Sequence, residues 1–509
     1  MKNVSQLTRH TWWNLLGFGL PLVVAIFAIP TLIRGLGTER FGVLTIGWVI
    51  MGYFALFDFG MGQATTKFVA ASIARQDAQR LPGIVWSSFA AHLALGLFGG
   101  SVFALLVPWL SSGAFNVQAD LQPEVSAGFY VLAASVPLVV GGTCLRGVLE
   151  GVRRFDLVNK VKIPAGIINY LGPIIVLQFT THLLFVIGII VLSRGVVLAV
   201  YLLLCVRAMP QLGSRFDIEP GVIKPLAGFG GWVAVSSVTL PLIASLDRFI
   251  IGAVVSMTAV AYYATPYEIV TKLWILSASP LSALFPVFST LAVDRGQEMR
   301  PLGARALKYL LVMTAPAVAV LLVFADPLLN VWIGPDFAEH SAPVARWLAV
   351  GILMNVLAQV PFTILQGWGR ADVPAKLQLL QLPIYALATY FLAQIAGITG
   401  VAIAWAARAG IELALLTAAA NMLLPRAAAE AGVPWLQPRA VSITVVFLAL
   451  FWILGSGAVA EFAVKLGTFA LLIAALVAAE WFIMLDRHDR QAFAGMFGRR
   501  GATAGGDST

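Results

Sequence analysis

Only two of the 509 residues are cysteine, Cys144 and Cys205, and charged residues make up just 11% of the chain. Both cysteines sit at ends of apolar stretches that the charge pattern below assigns to the reducing cytoplasmic side, and no pair has metal-ligand spacing. Neither a disulfide nor a metal site, zinc included, is expected. The chain also lacks a GxxxxGK[ST] phosphate loop and a kinase signature, so it does not hydrolyse ATP itself, and no cofactor is expected. Long polar segments are missing too. The longest gap between apolar stretches on the expected outer face, near 111–124, is about fourteen residues and holds no cluster of acid, base and nucleophile.

What the chain has is apolar length: 60% of its residues are hydrophobic and the mean hydropathy is +0.89. About 20 helical residues cross a hydrocarbon core. Helix punctuation places fourteen spans near 11–33, 41–63, 83–110, 125–146, 160–180, 183–207, 225–254, 258–283, 303–329, 341–366, 375–395, 398–423, 438–456 and 462–485. The fold class expected is therefore an all-α polytopic membrane protein. Residues 11–33 are too long for a signal peptide and no small-residue cleavage site follows, so they form the first span.

Of the 33 lysines and arginines, 25 fall in the two ends and the even-numbered gaps. Only Arg34, Arg40, Arg346 and Lys465 sit on the opposite face, which puts both termini in the cytoplasm. The net charge of +9 is spread along one membrane face rather than gathered into an aromatic-studded patch, so nucleic acid is not an expected partner. The tail, 487–509, mixes Arg, Gly, Ala and Asp without apolar periodicity and reads as a flexible cytoplasmic end.

The chain repeats itself. Trp12, Leu20, Pro21 and Leu22 recur 220 residues later as Trp232, Leu240, Pro241 and Leu242, and Leu149, Gly151, Arg154, Asp156 and Lys160 recur at an offset of 216 as Leu365, Gly367, Arg370, Asp372 and Lys376. Arg194 pairs with Arg408 at an offset of 214. Six spans per repeat is an even number, so both halves enter the membrane from the same side as parallel repeats. The expected division is an N-terminal lobe at 1–215, a pseudo-symmetric C-terminal lobe at 216–430, and two extra helices at 431–486.

Four basic residues fall inside expected spans, Arg194, Arg248, Lys272 and Arg408, where a charge needs a partner or a watery cavity. Arg408 has Glu412 one turn on and Lys272 has Glu268 one turn before, so local pairs compete with a binding role. Arg194 has only Ile190 and Leu198 at the adjacent turns, which makes it the foremost binding candidate. Asp247 and Arg248 point about 100° apart on a helix and should have separate partners. Asp247, Glu268 and Glu412 are candidate carriers of a coupling ion. Asp58 reads as a structural residue at a helix terminus or beside Lys67, and His92 as a packing residue. Pro21, Pro137, Pro241 and Pro361 interrupt matching spans as hinges or as ordinary kinks.

Three segments, Leu36–Ala70, the LEGVRRFDLVNK stretch from Leu149 and the LDRFIIG stretch from Leu246, together resemble the Wzx-type polysaccharide flippases. These belong to the superfamily of multidrug and toxin extrusion (MATE) transporters and lipid II flippases. The resemblance implies a MATE-like two-lobed twelve-helix core, extended by two helices, that moves lipid-linked oligosaccharides for O-antigen or exopolysaccharide across the bacterial inner membrane. Implied partners are that substrate, membrane lipids, protons or sodium as the coupling ion, and polymerase or export machinery. A diphosphate headgroup suits the bidentate fork of arginine. A cation-coupled multidrug exporter is the alternative, distinguished by unpaired carboxylates rather than arginines in its cavity. A polysaccharide polymerase or ligase ranks lower, because it needs an outer-face loop this chain lacks.

Overall fold

The computed structural model describes residues 23–54, 58, 61–75, 77, 79–214, 216–219, 245–293, 298–424, 435, 438–457, 462–485 and 490. Among them there are helices and no strands. That follows from the composition, because in hydrocarbon only a helix or a closed barrel satisfies every backbone group. In chain order the helices are α1 (Val23–Leu36), α2 (Thr38–Phe54), α3 (Met61–Ala74), α4 (Leu81–Trp109), α5 (Gln122–Gly151), α6 (Phe155–Leu177), α7 (Leu183–Ala208), the single turn α8 (Gln211–Ser214) and α9 (245–254). There follow α10 (Met257–Val270), α11 (Ile275–Val293), α12 (Met299–Trp332), α13 (Pro335–Gly367), α14 (Asp372–Leu423), α15 (Pro438–Gly455) and α16 (Phe462–Ala479).

Nine helical stretches among the described residues are long and apolar enough to cross a membrane. The difference from fourteen has local causes. Asp372–Leu423 runs through two expected spans, broken at Ala396 (φ −130°, ψ 16°) and Gly397 (φ 57°, ψ −142°), a backbone geometry that only glycine adopts without strain. The expected span 41–63 is divided between α2 and α3, and 258–283 is interrupted by a 3-10 turn at Thr271–Trp274. Pro21 and Pro241 lie outside the described residues, as do most of 1–22, 220–244 and the tail.

Contacts divide the chain into two compact units, Met1–Thr265 with Thr389–Ile398, and Pro266–Ala388 with Thr399–Thr509. In the first, α5 is the central helix, with 67% of its most apolar window buried against 22% for α4. Gly96 of α4 makes this packing possible, since a Cβ there would come within 2.5 Å of the Pro137 backbone. In the second unit α13 is central, 78% buried over the same measure.

These two helices end alike. At the close of α5 the N–H groups of Val152, Arg153 and Arg154 donate to the carbonyls of Val148, Glu150 and Leu149; at the close of α13 those of Trp368, Gly369 and Arg370 donate to Ile364, Gln366 and Leu365. Every donor and acceptor keeps the offset of 216. Each turn then presents an arginine fork to the next helix: Arg154 to Asp156 (2.9 and 3.1 Å) and Arg370 to Asp372 (3.0 and 3.4 Å). Those hydrogen bonds hold both guanidiniums above their ordinary range. The left-handed position is Gly369 (φ 79°) in one copy and Arg153 (φ 61°) in the other. The repeated sequence therefore encodes a repeated helix stop, and one copy tolerates a strained side chain within it.

Candidate functional site

Helices α2, α5, α6 and α7 of the first unit enclose a cavity of about 440 Å3. That volume lies within the ~300–1,000 Å3 range of small-ligand sites. Three cations reach its wall, Arg146 from α5, Lys162 from α6 and Arg194 from α7, and no Asp or Glu among the described residues lines it. Arg194 stands midway along a helix that is otherwise almost wholly apolar. Its Nη2 donates to Asn169 Oδ1 on α6 (3.0 Å) and its Nε points at Met51 Sδ on α2 (3.2 Å). A thioether is a weak acceptor, so most of the guanidinium's donor capacity is unspent. Arg146 leans on Glu150 one turn away at 3.5 Å, and both side chains are substantially exposed. Such a pair is worth ~0–1 kcal/mol and yields easily to a better anion.

Trp48 on α2 supplies the aromatic wall, set edge-on against Tyr170 (5.3 Å) and Phe41 (6.1 Å). Its indole N–H is buried and has no acceptor among the described residues. A donor in that condition favours any ligand oxygen that reaches it. The cavity thus combines positive charge, a fork for bidentate contacts and an aromatic wall, a set suited to a phosphorylated, oxygen-rich molecule.

Away from the cavity, the helices that form its wall are pinned together by Glu124. Its carboxylate, near the start of α5, accepts from the Arg40 guanidinium of α2 at 3.1 to 3.3 Å and from the backbone N–H of Leu183 at the start of α7, with His182 Nδ1 at 3.8 Å. The helix N-terminus adds its own favourable field to that carboxylate.

The remaining sequence candidates separate by environment. Arg408 donates to Glu412 at 2.8 Å, with about a tenth of each side chain exposed, while Gln378 also reaches Glu412 and the Tyr385 ring lies 5.5 Å from the guanidinium carbon. Lys272 pairs with Glu268 at 3.1 Å, both well exposed. Asp247 is fully buried and accepts from the Tyr263 hydroxyl (2.7 Å) and from the backbone N–H of Arg248 (2.8 Å). Asp58 lies against Gly62 in the first turn of α3, at a helix start. His92 is fully buried, its Nδ1 2.6 Å from the Ser88 carbonyl. Pro137 and Pro361 stand inside α5 and α13, and no group of three or more potential metal ligands gathers among the described residues.

Sequence reasoning read Arg146 and Lys162 as topological charges, and it passed over Trp48, Asn169 and Glu124. Asn169 carried a signal, as a polar residue within an apolar span. The Glu124 to Arg40 pair, 84 positions apart, carried none.

Known proteins share this architecture. Residues 31–342, more than half of the chain, match the family described as polysaccharide biosynthesis protein. A putative O-antigen transporter of Shigella flexneri is 28% identical over 415 residues, 81% of this chain and 97% of that protein. The succinoglycan biosynthesis transport protein ExoT of Rhizobium meliloti is 24% identical over 384 residues, 73% of this chain and 71% of that protein. Among solved structures, the lipid II flippase MurJ in an inward closed conformation superposes with a TM-score of 0.69 at 11% identity, covering 93% of this chain and 99% of that one. An inward-facing multidrug resistance MATE transporter gives 0.67 at 16%, covering 80% and 97%. With the fold of the MATE and MurJ transporters, the chain belongs to the polysaccharide biosynthesis protein family.

Proposed function

We propose that the protein is a flippase that carries undecaprenyl-diphosphate-linked oligosaccharide repeat units from the cytoplasmic to the periplasmic face of the bacterial inner membrane. The observation that carries this reading is the cavity walled by Arg146, Lys162 and Arg194 without a carboxylate. Its sign suits a diphosphate and opposes a cationic drug, which separates the reading from a multidrug exporter. The relatives' names, an O-antigen transporter and a succinoglycan transport protein, point to the same substrate class.

In this reading the lobes 1–215 and 216–430 rock about the headgroup, with Pro21, Pro137, Pro241 and Pro361 as hinges, 431–486 beside them and both termini cytoplasmic. Arg194 grips phosphate first. Arg408 and Lys272 join only as their pairs with Glu412 and Glu268 open, and the buried Arg248 joins with them. An ion gradient of protons or sodium drives the cycle, and of Asp247, Glu268 and Glu412 the fully buried Asp247, facing the Tyr263 hydroxyl, is best placed to carry the ion. No covalent chemistry is required, and polymerase or export machinery receives the product.

Depletion of the protein tests the reading directly. The lipid-linked repeat unit then accumulates on the cytoplasmic face, resistant to a membrane-impermeant glycosidase added outside. Accumulation on the periplasmic face would place the protein after the flipping step and overturn the proposal.

A further inference from the structure

The cavity of the first unit is long as well as charged. Three helices line it over a matching interval, with Val139 and Arg146 on α5, Lys162 and Asn169 on α6, and Arg194 and Tyr201 on α7. The members of each pair are seven residues apart. Two helical turns put them on one face and separate them by roughly 10 Å along the axis. The hydrogen bond from Arg194 to Asn169 (3.0 Å) fixes one end of that interval. Arg146 and Lys162 mark the other. Arg146 lies five residues before the end of α5 and Lys162 seven after the start of α6, and the turn 152–154 joins those two helix ends. The two cations therefore stand at a similar depth, near the face that the charge bias assigns to the cytoplasm.

Between the two ends the wall is made by Gly142, Thr143, Ala165, Gly166 and Val197, none of them charged. Gly142 is buried, yet a Cβ added there would meet nothing within 4 Å, so this stretch is open space rather than packed core. The ends also differ in exposure: the Arg146 side chain is 47% exposed and Lys162 is exposed, whereas Arg194 is half-buried. The two phosphorus atoms of a diphosphate share one bridging oxygen, so a single headgroup is too short to hold both ends of a ~10 Å interval.

We propose that Arg146 and Lys162 form a loading station for the diphosphate headgroup, separate from the deeper site at Arg194 and Asn169, with Gly142 leaving the passage open between them. The station receives the headgroup at the aqueous interface, and Glu150 gives up Arg146 to the incoming phosphate. Arg194 then grips it two turns deeper. Exposed cations set the rate of encounter and its salt dependence, whereas a desolvated charged contact sets the rate of release. This division of labour rests on the reading of the cavity as a diphosphate site.

The test follows the binding of a dansyl-labelled short-chain prenyl diphosphate to the full chain in phosphatidylcholine nanodiscs, by stopped-flow energy transfer from tryptophan. Lys162→Gln slows association about fivefold, the worth of one basic residue near a membrane surface, and flattens its fall with salt while dissociation is unchanged. Arg194→Gln does the reverse, raising dissociation about tenfold at an unchanged association rate. Gly142→Leu keeps every charge and slows both rates. An unchanged Tm certifies the fold of each variant. Lys162→Gln and Arg194→Gln acting on the same rate constant, or Gly142→Leu leaving both rates as they are, overturns the separate station while the cavity remains a diphosphate site. A wild type that binds the dansyl-labelled prenyl alcohol as well as the diphosphate overturns the station and the reading of the cavity together.

Discussion

Arg194 and Arg408 occupy matching positions of the internal repeat, yet the two regions treat the same side chain in opposite ways. Arg194 meets an amide and a thioether in a cavity it shares with two further cations. Arg408 is matched by Glu412 one turn away, with Gln378 and Tyr385 around the pair. A buried arginine can be made tolerable by a built-in counter-charge or by a wet site that accepts one from outside. The duplicated halves have taken one solution each. Intramembrane charge alone is thus a poor guide to ligand contact, and the local partner decides.

The contrast can be broken at several points. Arg408→Ala strands Glu412, and removing one member of a buried pair costs ~3–5 kcal/mol; thermal unfolding of the purified protein should show the loss, with stability returning when Arg408→Leu is combined with Glu412→Leu. A stable Arg408→Ala that fails to export would mean that Arg408 serves the substrate rather than the packing of its own helix. Arg194→Ala should leave protein levels normal and reduce export of the lipid-linked repeat unit about 10- to 100-fold, since a hydrogen bond to a charged group is worth ~1.5–3 kcal/mol; wild-type export would remove Arg194 from the site. Leu198→Glu copies the Arg408 and Glu412 spacing onto α7 and should neutralise Arg194, cutting export about tenfold while Arg194 itself is retained. The mildest change is Arg153→Gly, which gives α5 the left-handed glycine that α13 already has at Gly369. It should raise stability by about 0.5–1 kcal/mol, read as a higher Tm, and a lower Tm would mean that the Arg153 side chain contributes more than its backbone costs.

Apolar length and turn chemistry made much of this fold readable in advance. The limits of α7, of α15 and of the apolar helical stretch Phe462–Met484 that α16 opens lie close to those expected, because each span is bounded by polar or glycine-bearing turns. Span two was harder: its apolar run reads as one span, and only Asp58 hints at the helix terminus that separates α2 from α3. The break in α14 at Ala396 and Gly397 falls in the gap that the sequence leaves between the spans 375–395 and 398–423. Arg194 stood out because its own helix offers it no partner, and Glu412 was legible one turn from Arg408. Arg146 and Lys162 read in sequence as charges of the cytoplasmic face, which says nothing of the cavity they also line. Only the packing of α5 beside α6 and α7 turns them onto the same space, and Trp48 joins them from a helix about a hundred residues earlier in the chain.

Three positive side chains around 440 Å3 also set a condition for the resting protein. Such a concentration of like charge recruits small mobile anions, and in the proposed cycle a polyprenyl diphosphate would have to evict them before it settles. Loading is therefore an exchange reaction: occupancy should fall as sulfate or phosphate in the medium rises, and the release of those ions supplies entropy that helps draw the headgroup from the aqueous interface.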